Sequence, residues 1–130
     1  LAQSQNFFSY FALSVMLRNG DAHLKNFGLL YDHPNDTSNI RLAPVFDVVT
    51  TSVYGDKTMA LKLNKSNDYP TRKELIAFGR DVCLVRKPEA VIERIAEAMD
   101  EVLKVHKDFV PQAFAKQLSG EWLRGRDSIL

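Results

Sequence analysis

The stretch Asn19-Gly20-Asp21-Ala22-His23-Leu24-Lys25-Asn26 decides how this chain is read. It runs into the apolar segment Phe27-Gly28-Leu29-Leu30 and, past a polar turn, into Leu42-Ala43-Pro44-Val45-Phe46-Asp47-Val48. An acid, an amide at i+5 and a second acid beyond a short β-like run are the polar parts that phosphoryl transfer from a magnesium nucleotide requires. The transition state of that reaction is loose, so the protein supplies an acceptor for the attacking hydroxyl's proton, oxygen ligands for the metal, and positioning. Asp21 is the candidate acceptor. Asn26 stands where a loop that presents a carboxylate to substrate would return an amide oxygen to the metal. Magnesium usually takes only one or two carboxylates from protein, so a second acid has to come from elsewhere in the chain. Asp47 fits, set at a strand end by Pro44 and its apolar neighbours.

Working outward, Gln3 to Arg18 carries apolar residues at Phe7, Phe8, Phe11, Ala12, Val15 and Met16, the three-and-four spacing of an amphipathic helix. Asn19-Gly20 reads as the C-cap that ends it and delivers the chain into the Asp21 loop. Phe27 to Tyr31 and Ile40 to Leu42 read as two short strands around the turn-rich run Asp32 to Asn39. Such a hairpin brings Asn26 and Asp47 together at one end, which is the geometric step on which metal binding depends. Val49 to Lys57 has the composition of a mobile, hydroxyl-rich segment, and Thr58 to Leu63 alternates like a short strand or extended stretch.

Thr71-Arg72-Lys73-Glu74 matches a capping box, predicting a helix from there to about Leu84. Pro88 starts the longest predicted helix. Its apolar stripe is Val91, Ile92, Ile95, Ala98, Met99, Val102, Leu103 and Val105, against an outer face of Glu93, Arg94, Glu97, Asp100, Glu101 and Lys104. A last helix is expected near Pro111 to Leu118, with Trp122 in a short tail. The expected fold class is mainly α with a small β-hairpin, as a single domain over residues 1–130.

Each candidate has a plainer competitor. Asn-Gly-Asp alone suits a turn, but a turn predicts none of His23, Lys25, Asn26 or Asp47 in this order. Asp47 alone is a reasonable helix N-cap. His23 is read either as a phosphate contact or as a hydrogen-bonding strut, and Lys25 either as a nucleotide contact or as charge balance. His33 and His106 are isolated, without the clustering that structural zinc needs. Thr50, Thr51 and Ser52 suggest a regulatory phosphorylation site, but no basic cluster is expected nearby to receive a phosphate. The Val91 stripe reads as core, with a partner-facing helix as the alternative.

The chain has 130 residues with 17 basic and 16 acidic side chains, so bulk charge calls for neither nucleic acid nor an acidic partner. One core is the prior at this length. The single Cys83 forms no internal disulfide, which suits a reducing cytoplasm, and reads as a small buried side chain. Phe7 to Leu17 is too short and too interrupted to span a bilayer, which takes roughly 20 apolar residues.

Asn19 to Phe27, Leu42 to Val48 and Leu61-Lys62-Leu63-Asn64 together resemble the C-terminal region of HipA-type serine/threonine kinases, the toxins of bacterial toxin–antitoxin pairs. The similarity runs to about Met99. It implies the helical, C-terminal lobe of a protein-kinase-like fold, ATP and Mg2+ as cofactors, Asp21 as catalytic base, and Asn26 and Asp47 as metal ligands. It also implies that His23 sits beside the nucleotide phosphates and that Phe46 lines the nucleotide pocket. Lys25 is the remaining nucleotide candidate, although it stands four positions after the base where ordinary protein kinases have their lysine at two. A protein substrate such as an aminoacyl-tRNA synthetase and a DNA-binding antitoxin of HipB type are the implied partners. No phosphate-binding Gly motif occurs among the 6 glycines, so the N-terminal lobe is expected to lie outside these residues and the lobe alone to be inactive. A small-molecule phosphotransferase, whose loops share Gly-Asp-x-His, and a non-catalytic interaction module are the alternatives.

Overall fold

The computed structural model describes residues 2–105 and 111–130; His106, one of the two isolated histidines, lies outside them. Among the described residues four α-helices and one two-stranded hairpin follow in the order α1 (Ala2–Met16), β1 (Leu29–Leu30), β2 (Arg41–Leu42), α2 (Arg72–Ala77), α3 (Pro88–Val105) and α4 (Gln112–Ile129). The mainly helical class with a small hairpin is therefore as the sequence predicts.

The first helix is the hub. Phe8, Phe11, Ala12, Val15 and Met16 are buried, and the helix packs against both α3 and α4. Burying a side chain as large as Phe8 stabilises by roughly 1.5–3 kcal/mol. The chain beyond α2 is shaped to fit it: Gly79 lies so close under the Phe8 ring that a Cβ there would stand 2.6 Å from Cε2. No larger residue fits without shifting the ring or the helix.

Helix α1 ends differently from expectation. The left-handed residue that breaks it is Arg18, with φ 57°, rather than Asn19 or Gly20. A non-glycine residue in that region is costly by about 1–3 kcal/mol and persists only when its surroundings fix it. Here the Arg18 carbonyl accepts from the Thr51 and Ser52 amides, at 3.1 and 3.4 Å.

Helix α2 begins at the predicted capping box, where the Glu74 amide donates to Thr71 Oγ1 at 3.3 Å and the Thr71 amide to Glu74 Oε2 at 2.8 Å. It ends early, however. From Phe78 to Val82 the chain widens into a π turn, which seats Gly79 against Phe8 and leads to the buried Cys83. Helix α3 starts at Pro88 as expected, and Ile92, Ala96 and Met99 are its buried residues beside Pro88. The core-facing stripe is narrower than the sequence suggests, since Val102 and Val105 are exposed.

The fourth helix is a correction. It runs through Leu118 and Trp122 to Ile129, so the expected tail is helical and α4 equals α3 at 18 residues. Gly120 and Gly125, both poor helix formers, obscured this in the sequence. Gly125 is needed because α4 passes directly over the Met16 carbonyl, which any Cβ would meet. Arg126 ties α4 to α3 through Asp100 at 2.8 Å. Thr58 to Leu63 forms no ladder strand; only an isolated bridge, Leu63 to Ser66, follows it.

Candidate functional site

The Asp21 loop leaves α1 through Asn19, which is buried and whose amide donates to the Ser14 carbonyl at 2.8 Å. Gly20 comes next, and close approach explains its identity. A Cβ would collide with the Thr58 carbonyl and stand 3.0 Å from Thr51 Oγ1. Its own amide donates to Thr51 Oγ1 at 2.7 Å, and its carbonyl accepts from the Ala60 amide at 2.7 Å. The segment after Asp47 thus straps the loop from both sides.

Past Gly20, Ala22 is buried and its neighbours project. The Asp21 side chain is 63 % exposed, with Oδ1 at 3.9 Å from His23 Nε2. The His23 amide donates to Asn26 Oδ1 at 3.2 Å, across the single 3-10 turn Leu24–Asn26. Asn26 Nδ2 in turn donates to Asp47 Oδ2 at 2.9 Å. A continuous chain of contacts therefore runs from Asp21 through His23 and Asn26 to Asp47.

The hairpin makes that meeting. Leu29 pairs with Leu42 and Leu30 with Arg41, and the Ala43 amide donates to the Gly28 carbonyl at 2.8 Å. The strands are shorter than the sequence suggests, yet they place residues 26 and 47 at one end. Two anchors hold the hairpin to the helical body. Phe27 packs on Phe7 with ring centroids 4.9 Å apart, and Gln3 Oε1 accepts from the Leu42 amide. Asp47 itself has φ 54°, a conformation that aspartate tolerates better than most residues. It caps no helix: the 3-10 turn Thr51–Tyr54 that follows has Thr50 at its N-cap.

The other candidates fall nearby with less to fix them. Phe46 is 46 % exposed and its ring edge lies beside Gly28. Lys25 is exposed and bonds to none of the described residues. His23 Nδ1 is buried without a hydrogen-bond partner among the described residues, and the bond of this residue to Asn26 is made by its backbone amide.

Asn26 and Asp47 suit a hard cation. An amide oxygen has two lone pairs, of which the His23 amide uses one, and the Asp47 carboxylate keeps Oδ1 clear of bonds to described residues. Magnesium asks for about this many protein ligands. Among the described residues no group of three or more His, Cys, Asp and Glu side chains is arranged to hold a metal ion.

Several residues that build the site carry no signal in the sequence. Thr51 matters because its hydroxyl meets the Gly20 amide, and Trp122 because its indole donates to Thr50 Oγ1 at 2.7 Å. Gln117 adds a bond from Nε2 to the Val53 carbonyl at 2.9 Å. Helix α4 thereby holds the segment that holds the loop.

These observations define a mainly helical domain with a loop-and-hairpin acid/amide site, and comparison with known proteins places it. The model of the HipA-like C-terminal domain matches residues 1–104, and the chain belongs to that family. A Haemophilus influenzae protein named "Putative kinase" is 25 % identical over 133 residues, covering 86 % of this chain and 38 % of that protein. The chain therefore spans well under half the length of that relative. No described helix is long and apolar enough to cross a membrane.

Proposed function

We propose that this chain is the base- and metal-bearing lobe of an ATP- and Mg2+-dependent protein serine/threonine kinase of HipA type, its fold the C-terminal lobe of a protein-kinase-like enzyme. The observation that carries the reading is the Asn26–Asp47 contact of 2.9 Å, joined through His23 to the exposed Asp21. Membership of the HipA-like family supports it. So does the name of the Haemophilus relative.

In this reading Asp21 accepts the proton of the attacking hydroxyl, its exposure leaving it open to a substrate side chain. Asn26 and Asp47 hold magnesium, which when bound neutralises charge on the phosphates. The strap from Thr51 and Ala60 onto Gly20 keeps Asp21 at a fixed offset from that pair, and positioning is most of what such an enzyme contributes. His23 and Lys25 lie toward the phosphates and Phe46 toward the nucleotide base. The remaining nucleotide elements belong to an N-terminal lobe, so the 130 residues alone bind Mg-ATP weakly and transfer no phosphate. Calorimetric titration checks that; tight binding contradicts it. By family resemblance the protein acts in the cytoplasm on a translation protein such as an aminoacyl-tRNA synthetase, under a DNA-binding antitoxin of HipB type.

Incubating the complete protein with labelled ATP and cell lysate tests the reaction class. Label on serine or threonine of a protein is the expected result. Label confined to a small molecule would instead assign the phosphotransferase activity that shares the Gly-Asp-x-His loop.

A further inference from the structure

Away from the Asp21 loop, a hollow of about 260 Å³ is lined by Arg18, Ser52, Lys57, Tyr69, Glu121 and Arg124. Three cationic side chains share it with one carboxylate. Lys57 Nζ and Arg124 Nη2 both reach the same oxygen, Glu121 Oε1, at 3.1 and 2.6 Å. Among the described residues no carboxylate pairs with Arg18: its guanidinium lies 4.4 Å from the centroid of the Tyr69 ring and donates to Ser128 Oγ at 3.3 Å. In the other arginine ion pairs each guanidinium has at least one carboxylate to itself. Arg126 meets both Asp100 and Asp127, while Arg80 has Glu89 and Arg41 has Asp32. Asp56 acts on Tyr69 from a distance but does not line the hollow.

Arg18 is half-buried, while the Lys57 and Arg124 side chains reach into the hollow from solvent, 63 % and 66 % exposed. Burial lowers the Arg18 guanidinium from its ordinary value; Tyr69 and the Glu121 charge offset part of this, and the Arg124 charge adds a smaller lowering. An anion beside Arg18 would offset the cost of burying its charge. The hollow is smaller than the roughly 300–1,000 Å³ of drug-sized sites, which favours a small ion over an organic ligand. Guanidinium groups present forked donors that match phosphate oxygens, and the lysine adds a point charge.

We infer that this hollow binds a phosphate-type dianion, either free phosphate or the phosphoryl group of a phosphorylated serine or threonine, held by Arg18, Lys57 and Arg124. This corrects the expectation that no basic cluster lies near Ser52: the cluster exists, drawn from residues 18, 57 and 124. The site also touches the loop machinery, since Arg18 precedes Gly20 and its carbonyl carries the Thr51 and Ser52 amides. An occupant would brace the strap that positions Asp21. The assignment is independent of the kinase reading, because its test contains neither ATP nor magnesium.

The experiment is an amide-resolved NMR titration of the chain with sodium phosphate, against sodium chloride at equal ionic strength. Saturable shifts centred on Ser52, Lys57 and Arg124, specific to phosphate, are expected. Lys57→Gln, at a side chain 63 % exposed and so safe for folding, should weaken binding about tenfold, and Arg124→Gln similarly. Glu121→Gln, which removes the opposing charge, should tighten it. A peptide with one phosphoserine among neutral residues, compared with its unphosphorylated form, distinguishes the two sources: the same shifts with the phosphopeptide alone assign a phosphorylated protein, and with phosphate alone the free ion. Shifts that chloride reproduces, or that persist unchanged in the Lys57→Gln, Arg124→Gln double variant, overturn the proposal.

Discussion

The helical body and the loop that carries Asp21 are held together by different forces. In the body, Phe8, Met16, Leu75, Ile92 and Ile129 are fully buried side chains, and position is set by packing. In the loop and hairpin, Asp21, Leu29, Phe46 and Asp47 are exposed, and position is set by hydrogen bonds from Gly20 to the strap and from Asn26 to Asp47. Packing tolerates little change of volume but is indifferent to chemistry. The loop is the reverse: substitutions there should leave stability nearly intact and remove function, whereas substitutions in the body should do the opposite.

The largest expected departure between the two regions comes from Asp21→Asn. In the complete protein it should lower the phosphorylation rate by on the order of 10²–10⁴, with stability changed by no more than about 0.5 kcal/mol as for other exposed positions. Wild-type phosphorylation after that change would refute the assignment of the base. Phe8→Ala is the converse. It should destabilise by about 3–5 kcal/mol in denaturant melts, and any folded fraction should keep the Asn26–Asp47 contact.

Gly20→Ala probes the border. The added Cβ meets the Thr58 carbonyl, and overpacking of this kind costs about 1–3 kcal/mol. Because the strain falls on the strap, the rate should drop by more than the stability loss accounts for. Equal effects on both would dissolve the distinction between the regions.

The smallest effect concerns pH. Burial alone would raise the Glu121 carboxyl, but hydrogen bonding from Ser52, Arg124 and Lys57, in that order, outweighs it and holds the group at about 2, below its ordinary value of 4.5. The folded state therefore gains from this carboxylate at any pH above 4.5, and the gain is lost as pH falls from 4.5 toward 2. Acid melts should show that part of the loss disappearing in Glu121→Gln.

Much of the body was legible because its signals are local. The 3.6-residue period of α1 and α3 and the Thr71–Glu74 box each lie within one short window. The Asn26–Asp47 meeting was legible for a related reason, since a hairpin between them leaves their ends little freedom. What escaped depends on residues far apart in sequence. Arg18, Lys57 and Arg124 form a cluster only after folding. The glycines at 20, 79 and 125 look like helix breakers but are places where another segment passes too close for a side chain. The π turn at Phe78–Val82 follows from that same crowding against Phe8, so no propensity scale announces it.

The central claim is that Asn26 and Asp47 form one cation site beside Asp21, and manganese, a paramagnetic substitute for magnesium, tests it directly. Titrated into the labelled chain, it should broaden the amide signals of Asp21, Asn26 and Asp47 first, with the effect lost in Asp47→Asn. Broadening centred elsewhere, or equally strong at these three residues in the variant, would contradict the account.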